Sequence, residues 1–214
     1  MREALADALS LAFPVDCAGC GEAGRVLCAA CRVALEPAPL HRVLDDGTPV
    51  WSGLAYDGVA AAALRALKEQ GSTSLARDLV PALRMALQAA AAGESGLFVV
   101  PVPTSRAAMR RRGYRVTELL VRRTGLVPLP LLVPARSTVD QRMLGRAGRG
   151  ANVEGSLRSR PARGLRVVIA DDVVTTGATV REAARALSAA GAHVVGAATV
   201  AATALRMSHI AGRA

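Results

Sequence analysis

The chain has 214 residues, 51% of them apolar and 2% aromatic, with 27 Lys+Arg against 17 Asp+Glu. That length fits one ordinary domain with a small appendage, and the apolar content excludes a disordered protein. No uninterrupted apolar run approaches the roughly 18 residues of a spanning helix, and a formal charge of +10 asks for a polyanionic partner without saying which.

Residues 2–12 read as a short amphipathic helix ended by Pro14. With one Arg and two acids before a broken apolar stretch, this start is unlike a secretory signal, so a cytoplasmic location without membrane insertion is expected. A cysteine-rich segment from Cys17 to Cys31 follows, then the connection Glu36-Pro37-Ala38-Pro39. From Trp51 the pattern is α/β. Residues 51–56 read as a strand, and 58–71 as a helix with Val59, Ala63, Leu64 and Leu67 on one stripe. Residues 75–92 form a second striped helix stopping at Gly93, and 97–103 is a continuous apolar run of the buried parallel-strand kind. A helix near 115–124 precedes an Arg- and Gly-rich excursion over 134–163 that shows no clear period. A buried strand at 165–170, a helix at 180–191 and a strand at 193–201 complete the chain. Strands separated by helices argue for a parallel, doubly wound α/β sheet. The expected division is 1–45, holding the first helix, the cysteines and a linker, and 46–214, the α/β domain.

All four cysteines lie in CAGCGEAGRVLCAAC, so Cys17, Cys20, Cys28 and Cys31 form two C-x-x-C knuckles. Two such knuckles place four thiolates around one tetrahedral Zn²⁺, a closed structural site with no open position for catalysis. Two disulfides are the alternative, but nothing suggests export, and a redox dithiol needs only one pair. His41 is superfluous as a ligand and reads as a surface histidine.

The charge is uneven. Residues 1–100 carry −3, residues 101–166 carry +12 and residues 167–214 carry +1. Lys68 is the only lysine among 27 basic residues and is expected on a helix surface, its stem laid along the domain.

The strongest chemical pattern is VVIADDVVTTGATVREA. A buried strand delivers Asp171 and Asp172 to its carboxyl edge, where open α/β sheets bind ligands. Thr175, Thr176, Gly177, Ala178 and Thr179 then turn into a helix whose free N–H groups and dipole suit a phosphate. The paired carboxylates suit instead the hydroxyls of an attached sugar, or a bound Mg²⁺. The plainer alternative is a helix cap preceded by a solvated acidic turn. Pro103, Thr104, Ser105 and Arg106 follow another buried strand at the same edge, with Arg110, Arg111 and Arg112 beyond them.

The acidic-pair segment resembles the phosphoribosyl-pyrophosphate (PRPP) signature of type I phosphoribosyltransferases. The resemblance implies that Asp171 and Asp172 contact the ribose 2′ and 3′ hydroxyls and that Thr175 to Thr179 hold the 5′-phosphate. It makes Pro103, Thr104, Ser105 and Arg106 the pyrophosphate loop, and Mg²⁺ the metal that accompanies PRPP. Over nearly its whole length the chain is similar to the ComF family of competence-associated proteins. The shared features are the cysteine array after Phe13-Pro14, YDGVAAAALRALKEQG, VVPVPTSRAAMRRRGY and QRMLGRAGRGANVEGSL. In that resemblance Gln141, Arg149 and Asn152 belong to the flexible loop that closes over PRPP. The pattern departs at Arg115 and Val116, which stand where the family usually has an amide pair.

Three functions follow as expectations. One is a Mg²⁺-dependent phosphoribosyltransferase-type protein with Asp171 and Asp172 at its catalytic centre, whose acceptor and turnover the sequence leaves open. The second is a single-stranded-DNA-handling factor in DNA uptake with PRPP as ligand or regulator. Few aromatics are present to stack on bases, so such binding would be mainly electrostatic. The third is nucleobase salvage. No residue stands out as a general base, since His193 opens a strand and His209 lies in the tail.

Overall fold

The computed structural model describes residues 15–135 and 153–204. The cysteine segment runs into α1 (Ala29–Val33), and an antiparallel hairpin follows from β1 (Leu40–Val43) and β2 (Pro49–Ala55). Next come α2 (Gly58–Glu69), a short 3₁₀ turn, α3 (Ala76–Ala91) and β3 (Phe98–Pro101). Two short helices, α4 (Arg106–Arg112) and α5 (Val116–Arg123), lead to β4 (Leu132–Pro134). The chain returns through β5 (Leu157–Ser159), β6 (Arg166–Val174), α6 (Ala178–Ala189) and β7 (His193–Ala202).

The main sheet has the order β1-β2-β7-β6-β3, and β4 pairs with β5 in a separate antiparallel ribbon. Strands β2, β7, β6 and β3 are parallel, as the continuous apolar runs require of strands buried on both faces. Only β1, at one edge, is antiparallel, so the fold is α/β with a mostly parallel sheet. Alternation along β6 sends Val168 and Ala170 into one core with Leu64, Leu79, Leu83 and Leu120, from α2, α3 and α5. It sends Val167 and Ile169 into a second core with Val180 and Leu187 of α6. Helix α3 lies almost on the backbone of β2: a Cβ at Gly53 would stand 2.3 Å from the Ala82 carbonyl oxygen.

The structure departs from the periodicity at three places. Residues 106–112 are helical although RAAMRRR has no apolar stripe. Ser105 caps the turn, its Oγ accepting from Ala108 N–H at 3.2 Å, and Gly113 ends it at φ 76°. Strand β1 is short and exposed, so its burial pattern cannot show in the sequence. The excursion over 134–163 is bracketed by the β4–β5 ribbon, whose three-residue strands are too short to display a period. The expected helix over 2–12 lies outside the described residues, as do Gln141, Arg149 and Asn152. Among the described residues no helix is long and apolar enough to cross a membrane.

Candidate functional site

The four cysteine sulfurs lie within 4.8 Å of one another. Thiolates about 2.3 Å from a tetrahedral Zn²⁺ sit roughly 3.8 Å apart, and the Cys20 and Cys28 sulfurs are 3.7 Å apart. Cys28 N–H donates to Cys17 Sγ at 3.3 Å and Cys31 N–H to Cys28 Sγ at 3.5 Å, bonds that favour thiolates. Burial pushes the Cys17 thiol up, but backbone N–H groups of Cys20, Cys28 and Gly19 outweigh it and bring it down to about 6. Burial and its three neighbours drive the Cys31 thiol far above its ordinary value, so full ionisation of the cluster calls for a cation. The donor set fits zinc. Cys17, Cys28 and Cys31 are buried in the same core as α2 and α3, and the Arg32–Asp78 ion pair at 2.8 Å ties α1 to α3.

β6 extends through the acidic pair rather than ending before it. Asp171 pairs with Thr199 of β7, and Val102 N–H, just past β3, donates to the Ala170 carbonyl at 2.9 Å. The acidic pair and the segment Pro103-Thr104-Ser105 thus meet on neighbouring strands at the carboxyl edge. Asp172 N–H donates to Asp171 Oδ1 at 2.8 Å. Burial, and then the neighbouring Asp172 charge, push the Asp171 carboxyl up to about 8 against the pull of Lys68.

The turn that follows leads directly into α6. Thr175 and Thr176 are exposed, and Thr176 Oγ1 accepts from Ala178 N–H at 3.4 Å. Gly177 is the N-cap of α6 at φ 81°, with no side-chain cap. A Cβ there would stand 2.5 Å from the Leu44 side chain, so both conformation and space demand glycine. Ala178 and Thr179 begin the helix, their N–H groups among those without intrahelical partners.

Lys68 is not the surface residue its helical position suggests. Its Nζ lies 2.6 Å from Asp172 Oδ1, the two side chains only 23% and 15% exposed. Alternation along β6 turns Asp172 to the α2 face, and the last turn of α2 brings the ammonium to it. The Tyr114 hydroxyl, just past α4, donates to the Leu67 carbonyl and fixes this same turn. Two features of the sequence mark it: it matches a lysine of the resembling family's pattern, and it is the single lysine in a chain that otherwise uses arginine.

On the basic side, Thr104, Arg110, Arg115 and Arg160 line a cavity of about 400 Å³ with Met109 and Leu132 on its apolar wall. Ser105 serves as the α4 cap, and Arg106 is the first residue of that helix. Arg110 and Arg111 are exposed. Arg115, at the departure from the resembling pattern, pairs with Glu118 of its own helix at 2.7 Å. On the other side, Arg42 of β1 reaches the phosphate turn, its Nη2 donating to the Thr175 carbonyl at 2.7 Å. No motif in the sequence marks that residue.

Residues 132–210 match the phosphoribosyl transferase domain family. No curated protein matches the chain. Among solved structures the chain is similar to an adenine phosphoribosyltransferase, with 16% identity over 80% of this chain and 89% of that one and a TM-score of 0.41. It is similar to orotate phosphoribosyltransferase from Aeropyrum pernix, with 21% identity over 80% of this chain and 89% of that one and a TM-score of 0.33. It is also similar to the allosteric regulatory enzyme of purine biosynthesis, with 25% identity over 58% of this chain and a TM-score of 0.37. The chain covers 25% of that enzyme's length. The matched segment runs from β4 through β6 and α6 to beyond β7 and holds the acidic pair and its turn, so the likeness to phosphoribosyl transferase domains lies in that part of the chain.

Proposed function

We propose that the protein binds PRPP with Mg²⁺ and transfers or senses its phosphoribosyl group, in the manner of the ComF proteins its sequence resembles. One observation carries this reading. Inside the segment matched to the phosphoribosyl transferase domain, β6 presents Asp171 and Asp172 at the sheet edge and turns through Thr175–Thr179 into a helix whose N-cap residue, Gly177, offers no side-chain cap. In this reading Asp171, kept protonated near neutrality, donates to one ribose hydroxyl, while Asp172 accepts from the other. The turn holds the 5′-phosphate, and Pro103, Thr104, Ser105 and Arg106 face the pyrophosphate.

An acceptor nitrogen would form a bond to C1 of the ribose as the C1–O bond breaks, the electron pair leaving with pyrophosphate and the nitrogen's proton passing to solvent. Mg²⁺ bound with PRPP would neutralise charge on the leaving group. The protein's part is positioning and electrostatic stabilisation, with Arg110 and Arg160 beside the leaving group. The four cysteines hold one structural Zn²⁺ in this proposal.

The test is a screen of nucleobases with Mg-PRPP for pyrophosphate release. Release with one base makes the protein a salvage enzyme, and binding without release makes it a sensor of PRPP. Absence of PRPP binding would sink the reading. A second reading, handling of single-stranded DNA, draws on the exposed Arg110, Arg111, Arg122 and Arg123. Trp51 lies against His41, with ring centroids 4.9 Å apart, and Tyr114 holds Leu67, so aromatic platforms are few. DNA affinity that does not fall between low and moderate salt rules this reading out.

A further inference from the structure

Arg42 lies outside the segment matched to the phosphoribosyl transferase domain, and its environment is unusual. Nη2 is held by the Thr175 carbonyl. Nε and Nη1 are shut off from water and meet no acceptor, the two buried side-chain atoms left without a partner among the described residues. Dehydrated, unpaired donors on a cation are strongly unfavourable, and where they persist they call for a water or an ion. Burial works against the charge as well. The same side chain lines a cavity of about 520 Å³ together with Thr175, Thr176 and Thr203. Asp45 also lines it, but its carboxylate is taken by Arg181 at 2.7 Å. The N-terminus of α6 opens beside these threonines with no side-chain cap.

We propose that Arg42 is a phosphate-binding residue: its guanidinium, anchored on the Thr175 carbonyl, grips the terminal phosphomonoester of the phosphoribosyl ligand from the side opposite the α6 turn. This rests on the phosphoribosyl reading above and deepens it by naming what selects a phosphorylated sugar. Nε and Nη1 have already lost their water, so an anion that meets them gains these two donors without a further cost of desolvating them. Threonine hydroxyls and helix N–H groups supply the remaining donors that a tetrahedral dianion needs. Lysine would not substitute fully, since one ammonium cannot hold the carbonyl and the phosphate in the geometry of a planar fork.

The experiment is calorimetric titration of the full chain, wild type, Arg42→Met and Arg42→Lys, with ribose 5-phosphate, with ribose and with Mg-PRPP, alongside thermal unfolding of each. The wild type should bind ribose 5-phosphate and discriminate against ribose. Arg42→Met should lose about 10- to 100-fold in affinity for ribose 5-phosphate, and Arg42→Lys roughly 5- to 10-fold. Should the Met variant fail to fold, the Lys variant decides: affinity within twofold of wild type overturns the proposal. A lowered melting temperature with unchanged affinity would make Arg42 a brace of the turn and also overturn it. If the wild type binds neither ribose 5-phosphate nor PRPP, the phosphoribosyl reading falls and this inference with it. If it binds both while Arg42→Met matches it, this inference alone falls.

Discussion

Replacing Lys68 by Met cuts the ion pair at the centre of the proposed site, and the geometry sets its size. At 2.6 Å the contact is tight, and exposures of 23% and 15% place it between the surface and buried limits. Exposed pairs are worth roughly 0.2–1 kcal/mol, and breaking a fully buried pair costs about 3–5 kcal/mol. Lys68→Met should therefore cost about 2 kcal/mol, which for a chain of this size is a drop of roughly 4–8 °C in melting temperature. Asp172→Asn should cost a similar amount, but the two should not add. In a double-mutant cycle by urea unfolding, the coupling should be about 1–2 kcal/mol. The sign of the acidic pair's titration gives a second readout, because Lys68 pulls the Asp171 carboxyl down. In Lys68→Met that carboxyl should titrate higher than in the wild type. Coupling below about 0.3 kcal/mol, the scatter expected of independent sites, would show that the pair does not form in solution.

Three further outcomes test other parts of the structure. The Asp171 carboxyl, pushed up from 3.8 to about 8, makes the folded protein bind more protons than the unfolded chain across that window. Stability should fall as pH rises through it, with a limiting slope of about 1.4 kcal/mol per unit; Asp171→Asn should flatten this slope in denaturant titrations, and equal slopes would refute the burial. Metal analysis of freshly reduced protein should find one zinc per chain. Because Cys17, Cys28 and Cys31 are part of the core, chelation or Cys31→Ser should remove stability on the order of 10 kcal/mol and unfold the domain; an unchanged melting curve would contradict it. Gly177→Ala meets both a left-handed backbone and the Leu44 side chain and should cost about 2–4 kcal/mol by thermal melt. Adding Leu44→Ala should recover the steric part only.

What the sequence made legible was local. β3, β6 and β7 are continuous apolar runs, and the acidic-pair turn is one uninterrupted strand–turn–helix, so its place in the fold is readable from the sequence. The pieces that stayed hidden join residues far apart. Lys68 meets Asp172 across 104 positions, and Arg42 meets Thr175 across 133, and no spacing rule spans such distances. The apolar stripe of α2 puts Lys68 on the helix surface, whereas the carboxylate at the end of β6 decides where that last turn's ammonium goes. α4 escaped because Ser105 and Gly113 fix its ends while its seven residues bury little. The +12 over residues 101–166 now has a partial location. Arg110, Arg115 and Arg160 gather around the cavity beside Thr104, which suits a small polyphosphate at least as well as a nucleic acid.

Binding of the ribose phosphate falls, in this proposal, to Asp171, Asp172 and the turn after them. Its most direct test is calorimetric titration of Mg-PRPP into the wild type and into the Asp171→Asn/Asp172→Asn double variant, with thermal unfolding as a control for folding. The expected result is saturable binding by the wild type and a loss of more than about 100-fold in the folded double variant, on the order of 3 kcal/mol for two ribose hydroxyl contacts. Equal affinity in the two proteins would contradict the assignment.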